Sequence, residues 1–398
     1  MYDLVIIGAG PCGVMAAIQA SKRNKKVLLL EQNDDILKKL ALSGNGRCNL
    51  TNNKPIKEFL NHLDNPKYFY NIIKTFGPQE IIEYFTELGV DLKEENDNKI
   101  YPTSNKAKTI IDVLKKELET TQVNLNEKVL KITKQDDFQI VSDKASYTSK
   151  NVLLCVGGIT YPELGNNQNN FLLASNLSHT HTKLIAQECS IKTYDAISDL
   201  MGVSLSKINI IVKDNDKHLE VINGDVLFTH FGLSGPGILN CSFAINKART
   251  TNINVSLQLL NKNFEEVKSL IQSEISSYPT KTIKSFLKKH LPNALAEYII
   301  ENNKIKEVKN SYLSKDEINR LCHNLSDFNF KFKSFNDPKH AFVTGGGINL
   351  KELQPKTLES KLIPNLYFGG EMLDVCGRLG GYNITIALAC GYTVGQNI

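Results

Sequence analysis

Three glycines spaced Gly8-x-Gly10-x-x-Gly13, with an acid, Glu31, 18 residues after Gly13, are the residues of this chain best suited to hold a ligand. In such a pattern the first glycine allows a tight turn. The second lets the backbone approach a pyrophosphate, and the third lets a helix pack closely on a strand. A carboxylate closing the next apolar run can accept hydrogen bonds from ribose hydroxyls. Pro11 and Cys12 occupy the turn itself, where a helix begins and offers free N–H groups and a positive dipole end to phosphate. The triplet follows an apolar run at 2–7 and precedes a helical stretch and a second apolar run at 26–30. That is a dinucleotide-binding βαβ unit in its expected context.

The far end of the chain separates FAD from NAD. An apolar run at 366–368 enters Gly369-Gly370-Glu371, with Asp374 close by, and Gly380-Gly381 then opens an apolar helix. FAD is long and needs a second site for its ribityl and flavin end. A carboxylate after a strand can bind ribityl hydroxyls, and a helix N-terminus under the flavin favours negative charge on the reduced ring. FAD is therefore the expected cofactor, with Gly370, Glu371, Gly380 and Gly381 beside Gly157 and Gly158, which close the apolar run 151–156. Neither Gly157-Gly158 nor Gly345-Gly346-Gly347 has the spacing of a second dinucleotide fingerprint, so NAD(P)H is expected only as a transient small-molecule electron donor.

The elements that position these residues follow from patterning. A chain of 398 residues can form two or three domains. Helical periodicity marks 66–88 and 105–120. Strand-like runs occur at 128–133, 137–141, 145–147, 202–213, 219–228 and 252–260, and 264–325 turns helical. Glycine-terminated strands lie at both ends with a β-then-α block between them, so the nucleotide-binding domain is discontinuous and interrupted from about 190 to 338. No run of 18 apolar residues exists and the chain enters its first strand directly, so neither a membrane span nor a leader is expected. The eight cysteines are scattered without a C-x-x-C, which argues against a zinc ribbon or a redox disulfide and fits a reducing cytoplasm. No metal is expected. The net charge is +5, and residues 262–340 hold 14 Lys/Arg against 10 Asp/Glu. There Lys281, Lys284 and Lys288 are expected to share a helix face, with Lys289 and His290 beside them. Such a face either tracks phosphates or is merely solvated.

Several segments resemble the BaiN/YhiN-like flavoproteins, a family of NAD(P)/FAD-dependent oxidoreductases also described as aminoacetone oxidases. They are the run 43–52 (SGNGRCNLTN), Tyr101-Pro102-Thr103-Ser104, Gly157 to Pro162, Phe228 to Pro236, Gly369 to Asp374, and Gly380-Gly381-Tyr382-Asn383. The resemblance implies an α/β protein in which a discontinuous Rossmann-type FAD-binding domain carries an inserted β-barrel and a small helical subdomain. The boundaries it suggests are 1–189 and 339–398 for the FAD domain, 190–262 for the barrel and 263–338 for the helices. It implies non-covalent FAD, with Ser43, Gly46, Arg47, Cys48 and Asn49 lining the flavin and Asp374, Gly381, Tyr382 and Asn383 holding its ribityl and pyrimidine end. Activities in the family diverge: reduction of conjugated C=C bonds in bile-acid intermediates, oxidation of aminoacetone, and reduction of uridine in large-subunit ribosomal RNA. Cys376 and Arg378 depart from the family pattern.

Three residues are candidates for chemistry. Arg47 either pairs with phosphate or the flavin's electron-rich edge, or braces its loop. Cys48 either donates a proton to a substrate carbon, which requires a neutral thiol exposed to a cleft, or packs as a small apolar residue. His230 is either a general acid or a turn-stabilising residue. The expected activity is reduction of a conjugated C=C by hydride from flavin N5, leaning to uridine in ribosomal RNA bound through the basic insertion. The alternatives are a flavin oxidase of small amines using O2 and an ene-reductase of a small molecule.

Overall fold

Leu4 to Ile7 and Val27 to Leu30 are buried to 5% exposure or less on both faces, which is what parallel strands covered by helices on both sides require. In the computed structural model they lie in β1 (Tyr2–Ile7) and β2 (Val27–Leu30), joined by α1 (Pro11–Lys22). The structure describes every residue except Ala196 and Asp216, and of Pro338 only the backbone. Next come α2 (Lys38–Leu42), β3 (Thr51–Asn52), α3 (Ile56–Leu60), α4 (Pro66–Thr75), α5 (Pro78–Glu87), β4 (Leu92–Glu95), β5 (Lys99–Pro102) and α6 (Ala107–Glu117). β6 (Gln122–Asn124), β7 (Val129–Lys134), β8 (Phe138–Ser142), β9 (Ser146–Leu154) and α7 (Leu172–Ser175) complete the first segment.

The main sheet runs β6-β2-β1-β9-β8-β7, and a strand from the end of the chain, here β18 (Leu366–Phe368), pairs parallel with β9. β9 pairs along one edge with β1 and shares its other edge between two partners: residues 146–149 pair with β8, and 152–154 pair with β18. A second sheet, β3-β5-β4, stands beside it. The last helix, α13 (Tyr382–Asn397), returns to α1, where a Cβ on Gly391 would come within 2.2 Å of the Cys12 carbonyl oxygen. Two helix backbones in such contact leave no room for a side chain between them. This unit comprises Met1–Ala186 and Phe342–Ile398.

The second unit is Gln187–Ala341. It holds a closed barrel in the order β11-β14-β13-β12-β15-β16. The strands are β11 (Ile191–Thr193), β12 (Ser204–Asp214), β13 (Lys217–Thr229), β14 (Gly232–Ser234), β15 (Ile253–Gln258) and β16 (Phe328–Phe335). β10 (Ile185–Gln187) leads into it, and β17 (Val343–Gly345) follows it. Helix α8 (Pro236–Lys247) sits between β14 and β15. Four helices, α9 (Phe264–Ser277), α10 (Ile283–His290), α11 (Asn293–Asn302) and α12 (Lys315–Ser326), lie between β15 and β16.

Three expectations change. The helical pattern at 66–88 is two helices, because Gly77 starts a new one: a Cβ there would lie 2.3 Å from the Ile73 carbonyl, and Pro78 follows at the first helical position. The runs 145–147 and 151–156 are one strand, β9. The barrel takes its last strand from 328–335, so the helical stretch is an excursion within the barrel and not a segment that follows it.

Candidate functional site

β1 and β2 end side by side, with Ile7 opposite Leu30, and the chain turns at Gly8 with φ of +104°. A Cβ on Gly8 would lie 2.5 Å from the Cys155 carbonyl oxygen, and one on Gly13 would lie 2.0 Å from the Gly8 carbonyl oxygen. Contacts inside the protein therefore demand both glycines. Gly10 differs, since a Cβ there meets nothing within 4 Å. The space before it is open, and it lies at the N-cap of α1, whose first N–H groups have no intrahelical partner. Pro11 takes the first helical position, and the Cys12 side chain is buried, so these two offer the site only backbone. A cradle of this kind suits a pyrophosphate.

Glu31 follows β2. Its Oε2 accepts from the Ala9 N–H at 2.8 Å, and its Oε1 accepts from the N–H (2.8 Å) and Nδ2 (2.7 Å) of Asn33. Three donors leave capacity on a carboxylate with about four acceptor sites. An adenosine ribose hydroxyl can take the remainder. The open cradle at Gly10 together with this carboxylate fits the adenosine diphosphate half of FAD.

The other candidate cofactor residues are placed by the protein's own contacts. Glu371 is paired with Lys39 (2.6 Å), and its Oε1 also accepts from the Thr344 N–H (2.9 Å) and the Thr160 hydroxyl (3.3 Å). A Cβ on Gly158 would lie 2.0 Å from Thr344 Oγ1, one on Gly157 2.8 Å from Asn166 Oδ1, and one on Gly370 3.1 Å from Cys12 Cβ. These glycines permit close packing within the protein. Asp374 is half-buried; burial raises its carboxyl above the usual range, the Asp64 charge adds to this, and the Thr182 hydrogen bond opposes it.

Gly381 caps α13 with φ of +94°, and a Cβ there would lie 2.6 Å from the Thr51 carbonyl carbon. Amides brace this helix end. The Asn49 side chain donates to the Thr51 carbonyl and accepts from the Gly381 N–H, both at 3.2 Å. Asn52 Nδ2 donates to the Gly380 carbonyl (3.1 Å). Asn383 both accepts from and donates to the backbone of Gly377. The Tyr382 ring is buried and packs on Phe59 and His62, each at 4.7 Å, which leaves its backbone at the helix end. The first-turn N–H groups of α13 have no carbonyl partner within the helix, and its positive dipole end suits an electron-rich group.

The loop before β3 is left-handed at Gly44, Asn45, Gly46 and Cys48, and is knitted by Cys48 N–H to Ser43 O (3.0 Å) and Arg47 N–H to Gly44 O (3.2 Å). The Ser43 hydroxyl donates to Leu40 O (2.7 Å), and the Gly46 carbonyl accepts from the Ala107 N–H (2.7 Å). Arg47 is engaged by the protein: it pairs with Glu95, donates to Asn105 Oδ1 and stacks 4.2 Å from the Tyr101 ring centroid. That is the bracing reading. Cys48 is fully buried, which pushes its thiol up to about 12. The thiol is neutral as expected, but it is sealed from any cleft, so the exposure required of a proton donor is not met. Cys376 is likewise buried.

In the barrel unit His230 is exposed on the turn between β13 and β14, its ring edge-on to Phe231. The expected basic face does not form as drawn. α10 starts at Ile283, so Lys281 precedes it. Lys284 pairs with Glu307, and Lys288 with Glu297 at 2.6 Å. Lys39, Asn52 and Thr344 were not among the expected site residues; Asn52 closes the family-like run 43–52, whereas nothing in the type or spacing of Lys39 or Thr344 marks them.

A profile of the HI0933-like protein Rossmann domain matches residues 2–397. A 3-dehydro-bile acid delta(4,6)-reductase of Clostridium scindens is 28% identical over 419 residues, covering 100% of this chain and 98% of the relative. A ribosomal RNA dihydrouridine synthase of Escherichia coli is 26% identical over 404 residues, covering 100% and 98%. Among solved structures, a 3-ketosteroid delta1-dehydrogenase from Sterolibacterium denitrificans superposes with a TM-score of 0.53 at 10% identity, covering 100% of this chain and 99% of that one, which is a likeness of fold. Among the described residues no helix is long and apolar enough to cross a membrane. With the fingerprint intact and the family profile spanning nearly every residue, the chain belongs to the HI0933-like Rossmann family of flavin-dependent oxidoreductases.

Proposed function

We propose that this protein reduces a conjugated C=C bond, and that its substrate is uridine in large-subunit ribosomal RNA. One observation carries the reading. The chain matches, over its whole length, relatives named a dihydrouridine synthase and a delta(4,6)-reductase, and both names describe adding hydrogen across a C=C. The basic excess of the insertion, 14 Lys/Arg against 10 Asp/Glu over 262–340, favours a polyanionic substrate over a small neutral one.

FAD, when bound, supplies hydride transfer to an electron-poor carbon. The chain's own residues do the rest. Gly10 and the first turn of α1 hold the pyrophosphate, and Glu31 accepts from the adenosine ribose. The N-terminus of α13, fixed by Asn49, Asn52 and Asn383, favours an anionic edge. Arg47 and Ser43 brace the loop 43–49. A proton must also reach the neighbouring carbon of the substrate; Cys48 is sealed from any cleft, and Arg47 is held by Glu95 and Asn105. NAD(P)H is the proposed donor, bound transiently because the chain has one dinucleotide fingerprint.

Mass spectrometry of nucleosides from ribosomal RNA tests the assignment in a strain lacking this protein. Dihydrouridine should disappear from large-subunit RNA and return on complementation. Unchanged dihydrouridine, with a small amine or enone accumulating instead, would move the activity to the amine-oxidase or small-molecule reductase class.

A further inference from the structure

We infer that two adjoining loops of the insertion, 278–281 and 309–312, form a landing surface for an unpaired RNA strand; this rests on the substrate reading above. Tyr278 is 46% exposed and Tyr312 is 72% exposed. A single exposed tyrosine is ordinary. Here two stand on hydrogen-bonded neighbouring loops, each with a lysine. Lys281 Nζ lies 4.0 Å from the Tyr278 ring centroid, and Lys309 is exposed three residues before Tyr312. Among the described residues neither lysine is in an ion pair, in contrast to Lys284 and Lys288 on the adjacent helix.

The loops are locked together. The Asn310 N–H donates to Lys281 O (2.7 Å), Asn310 Nδ2 donates to Tyr278 O (2.9 Å), and the Ser311 N–H donates to Pro279 O (3.1 Å). Asn310 is buried beneath them, and Thr282 and Lys309 form an isolated β-bridge. The rings and ammonium groups are thus carried on a fixed backbone, which lowers the ordering cost of binding. Aromatic faces stack on unpaired bases, and lysines follow the phosphates between them. An acidic peptide would use the lysines and leave the two rings without work.

The test uses the purified FAD-loaded protein and a fluorescently labelled single-stranded oligoribonucleotide over a series of salt concentrations. Wild-type affinity should fall linearly on a log–log plot. Changing Lys281 and Lys309 to Ala should reduce the slope by about 1.4, the share of two phosphate contacts on a single strand. Changing Tyr278 and Tyr312 to Ala should weaken binding about 30-fold with the slope unchanged, and Tyr→Phe at both should restore it. All four side chains are exposed, so FAD content and circular dichroism should stay at wild-type values. If the wild type binds and both double variants bind equally well, the surface is wrong while the RNA reading stands. If the wild type binds no RNA even at the lowest salt, both fall. If only the lysine variant loses binding, the site takes polyanions without base stacking, and the proposal is overturned.

Discussion

Glu31 accepts the Ala9 N–H at 2.8 Å, so the carboxylate that follows β2 is tied into the glycine turn that follows β1. One side chain thereby shapes the glycine turn and keeps acceptor capacity that a ribose hydroxyl could use. Glu31→Ala should raise the FAD dissociation constant about tenfold or more, since hydrogen bonds to a charged group contribute roughly 1.5–3 kcal/mol. Titrating apoprotein with FAD and following flavin fluorescence reads this directly. Glu31→Gln, which keeps one acceptor oxygen, should fall between. An unchanged constant for the alanine variant would place the ribose elsewhere.

Gly10 and Gly13 separate ligand from fold. Gly10→Ala puts a Cβ into open space, so the apoprotein should unfold within about 0.5 kcal/mol of wild type while FAD affinity drops. Gly13→Ala drives a Cβ to 2.0 Å from the Gly8 carbonyl and should destabilise the apoprotein by about 3 kcal/mol. Thermal unfolding with and without FAD distinguishes them. A Gly10→Ala protein that binds FAD like wild type would mean that the pyrophosphate lies away from this turn.

The opening βαβ was legible because local constraints coincide there: a strand buried on both faces, glycines at fixed spacing, and an acid closing the next strand. The barrel strands were legible one by one, but β16 was not assigned to the barrel. Its partners, β11 and β15, lie far away in sequence, and periodicity reports burial, not pairing. The candidate site was half readable. Glu371 reads from the sequence as an acceptor for ribityl hydroxyls; Lys39 pairs with it across 332 residues, a meeting no local pattern encodes. The resemblance puts Tyr382 at the flavin's ribityl and pyrimidine end; that its ring packs on Phe59 and His62 is a tertiary contact that no local pattern encodes. The lysine face failed for a similar reason: spacing put Lys284 and Lys288 on one side, but Glu307 and Glu297 come from other elements.

Cys48 should prove structural. Its thiol is sealed, and its backbone is left-handed at φ of +59°. Cys48→Ala should cost about 1 kcal/mol of stability and leave kcat within about twofold of wild type, because a small buried side chain is lost and no reacting group is. Steady-state kinetics on FAD-replete variant gives the answer. A large fall in kcat at full FAD content would return the thiol to the chemistry.

Glu317 should dominate the acid sensitivity of the helical excursion. It accepts from the Lys306 N–H at 3.0 Å and from the Ser314 N–H and hydroxyl, and those bonds hold its carboxyl at about 2, below the ordinary 4.5. A depressed carboxyl stabilises the fold above its unfolded value, and that contribution is lost as pH falls from 4.5 toward 2. The shift corresponds to about 3 kcal/mol. Urea unfolding of wild type and Glu317→Gln across that window should converge as pH falls. Curves that stay parallel would show that Glu317 carries no such linkage.

Saturation of uridine in RNA by this flavin-dependent protein, as proposed, can be followed directly. The most direct measurement mixes the anaerobically reduced holoprotein with a single-stranded transcript of large-subunit ribosomal RNA, then follows flavin reoxidation and nucleoside mass together. Reoxidation should be coupled, one for one, to a uridine gaining the mass of two hydrogen atoms. A flavin that stays reduced in the presence of RNA, yet reoxidises with an enone or only with O2, would contradict the assignment.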